Sequence, residues 1–150
     1  MQRSLTYQKV LKSLGIVIAF VLYQSLSSIY LLLPPLLGVL FFYFINALKK
    51  EDLGELSLIV ILLFVFEAEK DFLLFSTLVY FTFVYRFVIP WLYVMINNPL
   101  YLKAIFLLLA YIGFLIFSYI LNQVLWVELP SFDWHIFYYI ILEFFMVLSL

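Results

Sequence analysis

Residues 100–127 read LYLKAIFLLLAYIGFLIFSYILNQVLWV, and this stretch decides the fold. Its only charged residue is Lys103, close to the start. As a helix it would be roughly 42 Å long, more than the roughly 30 Å hydrocarbon core of a bilayer. It is apolar all round, so it has no face to offer water. Lipid gives the backbone no hydrogen-bond partner, so a segment lying in lipid must be helical. A membrane barrel is excluded, because it needs runs of about ten residues alternating apolar and polar.

Working outward, the rest of the chain has the same character. Of 150 residues, 68% are hydrophobic and 11% charged. Soluble domains are nearer half apolar and a quarter charged. A chain this small cannot enclose so much apolar surface in one core, so the excess is expected to face lipid. Charge and turn signals cut the sequence into six segments at 13–33, 35–48, 53–67, 72–96, 100–127 and 134–150. The cuts fall at Pro34-Pro35, Lys49-Lys50-Glu51-Asp52, Glu67-Ala68-Glu69-Lys70-Asp71, Asn97-Asn98-Pro99 and Glu128-Leu129-Pro130. The first run follows Arg3, Lys9 and Lys12 but is too long for a signal-peptide core, and is read as a retained anchor. Segments two and three, at about 14 residues or roughly 21 Å each, are read as thin spans or a deep hairpin. The expectation is an all-α, polytopic membrane bundle in a single domain, 1–150, with short loops.

Lysine and arginine set its orientation. Arg3, Lys9, Lys12, Lys49, Lys50 and Lys103 fall on one face if six segments alternate, and only Lys70 falls on the other. That face carries Glu67, Glu69, Asp71, Glu128 and Asp133. Both termini are therefore expected in the cytoplasm. Trp91, Tyr93 and Tyr101 would mark the inner interface, and Trp126, Trp134, Tyr138 and Tyr139 the outer one.

The net charge of −1 offers no field for nucleic acid, so none is expected as a partner. With no cysteine there are no disulfides and no thiolate sites. Phosphate-loop, H-E-x-x-H and G-x-S-x-G motifs are absent. The single histidine, His135, suits a capping or interfacial role and cannot build a multi-histidine metal site. No cofactor, metal or catalytic residue is expected.

Four residues stand out as candidate intramembrane contacts: Glu143, Arg86, Pro90 and Glu67. Glu143 lies in mid-segment between Ile141-Leu142 and Phe144-Phe145. A carboxylate there must be protonated, paired or turned inward. It is either a helix-packing residue or a partner, substrate or proton site. Arg86 is expected in the cytoplasmic half of segment four, snorkelling to the headgroups. Pro90 removes the hydrogen bond to the Arg86 carbonyl and should bend the helix. An Arg86–Glu143 pair is an alternative that would neutralise both. Gln24, Ser25, Ser27 and Ser28, and Asn122 with Gln123, read as helix–helix glue. The Glu67, Glu69, Asp71 cluster reads as a solvated outer loop.

The layout resembles the MreD family of rod-shape-determining proteins. The second segment opens on proline and runs Pro34-Pro35-Leu36-Leu37-Gly38-Val39-Leu40-Phe41-Phe42. A short polar turn follows at Lys49-Lys50-Glu51-Asp52. Glu67 stands where the family usually shows Asp, and Leu73-Leu74-Phe75-Ser76-Thr77-Leu78-Val79-Tyr80 stands where its fourth helix begins. The resemblance implies a non-enzymatic subunit of the peptidoglycan-elongation machinery in the bacterial inner membrane. Its implied partners are the single-span protein MreC, RodA, penicillin-binding protein 2 and, through them, MreB filaments. The alternative is a small-molecule-binding subunit of an uptake transporter, of the six-helix vitamin-uptake kind, which would need a polar pocket around Gln24, Glu143 and Asn122. A membrane enzyme would need more intramembrane polar residues than this chain has.

Overall fold

The computed structural model describes residues 2–126 and 134–150, with side chains from residue 7 onward. Glu128, Pro130 and Asp133, read above as part of an outer loop, lie outside these residues. Every described element is helical. We number six helices: α1 Gln2–Ile29, α2 Leu37–Lys50, α3 Leu53–Glu69, α4 Ser76–Met95, α5 Pro99–Leu125 and α6 His135–Ser149. Three stretches, Tyr7–Ile29, Ser76–Met95 and Pro99–Leu125, are long and apolar enough to cross a membrane. The remaining helices are shorter. The chain is a helical protein of membrane character.

Consecutive helices run in opposite directions, which gives the bundle two ends. At one end Lys49 at the end of α2 donates to the Tyr93 hydroxyl near the end of α4. There too, Lys103 near the start of α5 donates to the Val147 carbonyl near the end of α6 at 3.0 Å. We call this the basic end. At the other end Lys70, closing α3, reaches Ser27 and Ser28 near the end of α1, at 3.4 and 3.3 Å. Half-burial pushes the Lys70 ammonium below its ordinary range, against the pull of Glu69. We call this the loop end.

The helix turns at the basic end have local causes. Glu51 adopts a left-handed conformation (φ 54°). Glu51 and Asp52 then donate to the Leu48 and Ala47 carbonyls at 3.3 and 3.2 Å, a Schellman closure of α2. Asp52 at once caps α3, accepting from the Gly54 and Glu55 amides at 2.9 and 3.2 Å. Asn98 caps α5 through the Leu100 amide at 3.0 Å, with Pro99 in the first turn.

The core between the ends is aromatic. Phe41 packs on Phe81 at 4.6 Å between ring centroids, and Phe72 on Phe114 at 5.0 Å. Within lipid such packing holds helices by close contact rather than by escape from water. Tyr80 adds a directed bond, donating to the Leu109 carbonyl at 2.8 Å. That carbonyl opens a π turn, Leu109–Gly113, and a Cβ on Gly113 would collide with the Tyr80 hydroxyl.

Two sequence expectations need correcting. Helix boundaries differ: α1 stops at Ile29, not 33, and α4 starts at Ser76, not 72. Residues 30–36 and 70–75 are non-helical, with Pro34 and Pro35 in the first stretch and the left-handed Asp71 and Phe75 in the second. The shortness of α2 also has a specific cause. After α1 the chain turns back beside that helix before α2 starts. The carbonyls of Leu33, Pro34 and Pro35 accept from Ser27 Oγ, Tyr23 OH and Gln24 Nε2 at 3.0, 2.8 and 2.7 Å.

Candidate functional site

The start of α2 is one of two polar places inside the described bundle. Its N-cap residue, Leu36, is left-handed (φ 60°) and supplies no side-chain cap. A leucine there costs roughly 1–2 kcal/mol of backbone strain. The first amides of the helix also need an acceptor. Glu143 supplies it from α6. Its Oε2 accepts from the Val39 amide at 3.0 Å. Its Oε1 accepts from the Tyr111 hydroxyl of α5. Glu143 has no solvent exposure. Gly38 is what lets the carboxylate approach: a Cβ there would lie 2.7 Å from Glu143 Oε2 and would collide with Leu107. Three helices and the returning chain thus meet at one carboxylate. Negative charge at a helix N-terminus is also favoured by the helix dipole.

Gln24 completes this cluster. It is fully buried, and its Nε2 holds the Pro35 carbonyl. Its Oε1 has no hydrogen-bond partner. Tyr139 of α6 donates to the Leu31 carbonyl at 2.6 Å, fastening the same returning segment from the other side. Asn122, grouped with these residues on sequence grounds, lies about 16 Å further along α5 from Tyr111 and stands apart.

Glu67 does for α4 what Glu143 does for α2. Phe75, the N-cap residue of α4, is also left-handed (φ 70°) and also lacks a side-chain cap. Glu67 Oε2 accepts from the Phe75 amide at 2.8 Å. Its Oε1 accepts from the Thr77 amide and hydroxyl at 2.7 and 2.6 Å, and from Ser76 Oγ at 3.3 Å. Glu67 is 1% exposed, which corrects the reading of it as part of a solvated loop. Only Asp71 of that cluster is exposed, while Glu69 is half-buried and accepts from Ser25 Oγ at 3.3 Å. Four donors at one place explain how a carboxylate tolerates enclosure.

Arg86 and Pro90 lie elsewhere, on the exposed face of α4. With α4 running Ser76–Met95, Arg86 falls close to mid-helix, ten residues after its start and nine before its end. It forms no pair with Glu143: the only ion pair among the described residues joins Lys50 and Glu55 at 3.8 Å. The break expected at Pro90 takes the form of a π turn, Val84–Val88, immediately before it. The Ile89 amide reaches back to the Val84 carbonyl, and this wider turn absorbs the missing proline N–H. His135 opens α6 and stacks on Tyr139.

The structure therefore brings Glu143 together with Tyr111, Gln24 and Gly38, and Glu67 together with Ser76 and Thr77. It leaves Arg86 and Pro90 outside both groups. Sequence reasoning missed Tyr111, Gly38 and Thr77. A usable signal was present at Ser76-Thr77, a small hydroxyl pair at a helix start a few residues after a buried-depth acid. Nothing local marked Tyr111. Compared with protein-family models, curated proteins and solved structures, the chain matches none.

Proposed function

We propose that this protein is a non-enzymatic scaffold subunit that spans the bacterial inner membrane six times and works through intramembrane helix contacts, as an MreD-like member of the cell-elongation machinery. The observation that carries the reading is how the polar groups inside the bundle are employed. Glu67 and Glu143 each hold a helix start, and Tyr80 and Tyr111 each hold a neighbouring helix. These groups act as fasteners, each bonding the protein's own backbone or a neighbouring helix. The outward faces of α1 and α4 are meanwhile apolar, with Leu22, Leu26, Phe87 and Trp91 all exposed. On this reading the basic end, with both termini, faces the cytoplasm. The partners are an MreC-like single-span protein and, through it, RodA and penicillin-binding protein 2.

Two measurements test this. Reporter fusions after Lys50 and Lys103 should both report cytoplasm, and fusions at Asp71 the opposite side. Depletion of the protein should round the cells, and a single-span membrane protein should co-purify with it. Unchanged cell shape together with a monodisperse, partner-free protein would remove the scaffold reading.

A second reading, a small-molecule-binding uptake subunit, is favoured by one observation. Gln24 Oε1 is buried without a donor among the described residues, while its Nε2 is held by the Pro35 carbonyl. A ligand with a hydrogen-bond donor would complete it. Thermal shifts against a panel of vitamin-sized compounds, abolished in Gln24→Leu, would support that reading over the scaffold.

A further inference from the structure

We propose that the outward face of α4 around Arg86 is the docking surface for a transmembrane helix of a different protein, one that carries a carboxylate at mid-bilayer depth. The proposal rests on the reading of α4 as a membrane span and goes further by naming the contact surface and its partner's chemistry.

Arg86 lies ten residues after Ser76 and nine before Met95. At 1.5 Å per residue its Cα is about 15 Å from one end of α4 and about 14 Å from the other. A fully extended arginine carries its guanidinium roughly 7 Å from its Cα, so it falls several ångströms short of either end. Direction makes this worse. Side chains on a helix lean toward its N-terminus, which for α4 is the loop end. Arg86 therefore leans away from the lysine-bearing basic end, the end toward which its snorkelling was expected. Arginine is always ionised, so it cannot shed its charge to fit the lipid. An uncompensated charge at that depth is costly, and within membranes such residues are normally paired.

No described residue supplies the pairing. Among the described carboxylates, Glu67 and Glu143 are enclosed and engaged as helix caps. Glu51, Asp52 and Glu55 sit at the turn of the basic end, and Glu69 and Asp71 at the loop end. A second copy would present the same described carboxylates, none of them on an outer face at mid-helix, so the acid is assigned to a different protein. The surroundings suit a helix. Phe83, Phe87 and Trp91 are 53%, 67% and 61% exposed and follow one another at four-residue spacing beside Arg86. Phe83 and Phe87 pack together at 5.2 Å, forming a rigid apolar edge. The π turn, Val84–Val88, sits at this same point.

The test uses the full chain in the native membrane, with Phe87→p-benzoylphenylalanine as a photocrosslinking probe. The expected product is an adduct with one membrane protein whose crosslinked helix carries Asp or Glu. Arg86→Leu should lower the adduct at least roughly tenfold. It should leave folded yield, read by size exclusion of a fluorescent fusion, unchanged or raised, because Arg86 holds nothing within the bundle. Arg86→Lys should keep part of the adduct, and Arg86→Glu should abolish it. Placing arginine at the partner's acid should restore the adduct in Arg86→Glu. An adduct with lipid only, an adduct with a second copy, or one that persists in Arg86→Leu would overturn the proposal. The same probe at Leu22, on the outer face of α1, separates the two readings. A protein adduct at Leu22 with lipid alone at Phe87 leaves the scaffold standing and removes this surface. Lipid alone at both positions removes both.

Discussion

The two ends of the bundle start their helices by different means. At the basic end, α3 and α5 begin at Asp52 and Asn98, polar residues in extended conformation that cap the helix they precede. At the loop end, α2 and α4 begin at Leu36 and Phe75, left-handed apolar residues with nothing local to offer the first amides. Their acceptors are carboxylates enclosed in the bundle, Glu143 and Glu67. One end is built by neighbours in sequence and the other by neighbours in space. The physical reason is depth. The turns carrying Asp52 and Asn98 are exposed, where water can finish any unsatisfied group. The amides of Val39 and Thr77 lie within the bundle, where an unmade hydrogen bond costs its full desolvation.

If this contrast is right, removing the acceptor at the loop end should hurt most. Glu67→Leu strands the Phe75 and Thr77 amides and should cost about 3–5 kcal/mol, read as loss of folded protein in detergent. Gly38→Ala should cost about 1–3 kcal/mol, because the new methyl displaces Leu107 and the Glu143 carboxylate, both fully packed. The amide variants sharpen the comparison. Glu67→Gln puts an NH₂ where an oxygen now accepts, and should lose about 1–2 kcal/mol. Glu143→Gln should lose less, since the Tyr111 hydroxyl can turn from donor to acceptor. The same loss in both would mean that Tyr111 is not free to reverse. At the basic end Asp52→Ala should cost only about 1 kcal/mol in thermal unfolding. An Asp52 effect as large as that of Glu67→Leu would erase the distinction between the ends.

The Glu67 and Glu143 sites also differ from each other. Glu67 reaches donors eight to ten residues ahead, so its cap can form as soon as α3 and α4 meet. Glu143 reaches back 104 residues, so α2 is completed only when α6 docks. Truncation before α6 should therefore leave the α3–α4 turn protected from hydrogen exchange while the start of α2 opens. Equal protection of both would show that the returning chain, held by Tyr23, Gln24 and Ser27, suffices for α2.

The sequence by itself determined the class of this protein, because a long uncharged run such as Ala104–Leu121 has one answer in lipid, and because charges and prolines mark where helices stop. It marked Asp52 and Asn98 as turn residues, and a cap beside its own helix is written in consecutive residues. It did not give what Glu67 and Glu143 hold. A lone acid in an apolar helix shows only that some donor must exist, and here the donors are backbone amides, which every residue carries alike. Nor could it say how deep Arg86 lies along its helix: that depended on α4 starting at Ser76. Side-chain chemistry is local and can be read in order. Backbone acceptors and helix faces are assigned only when the helices meet.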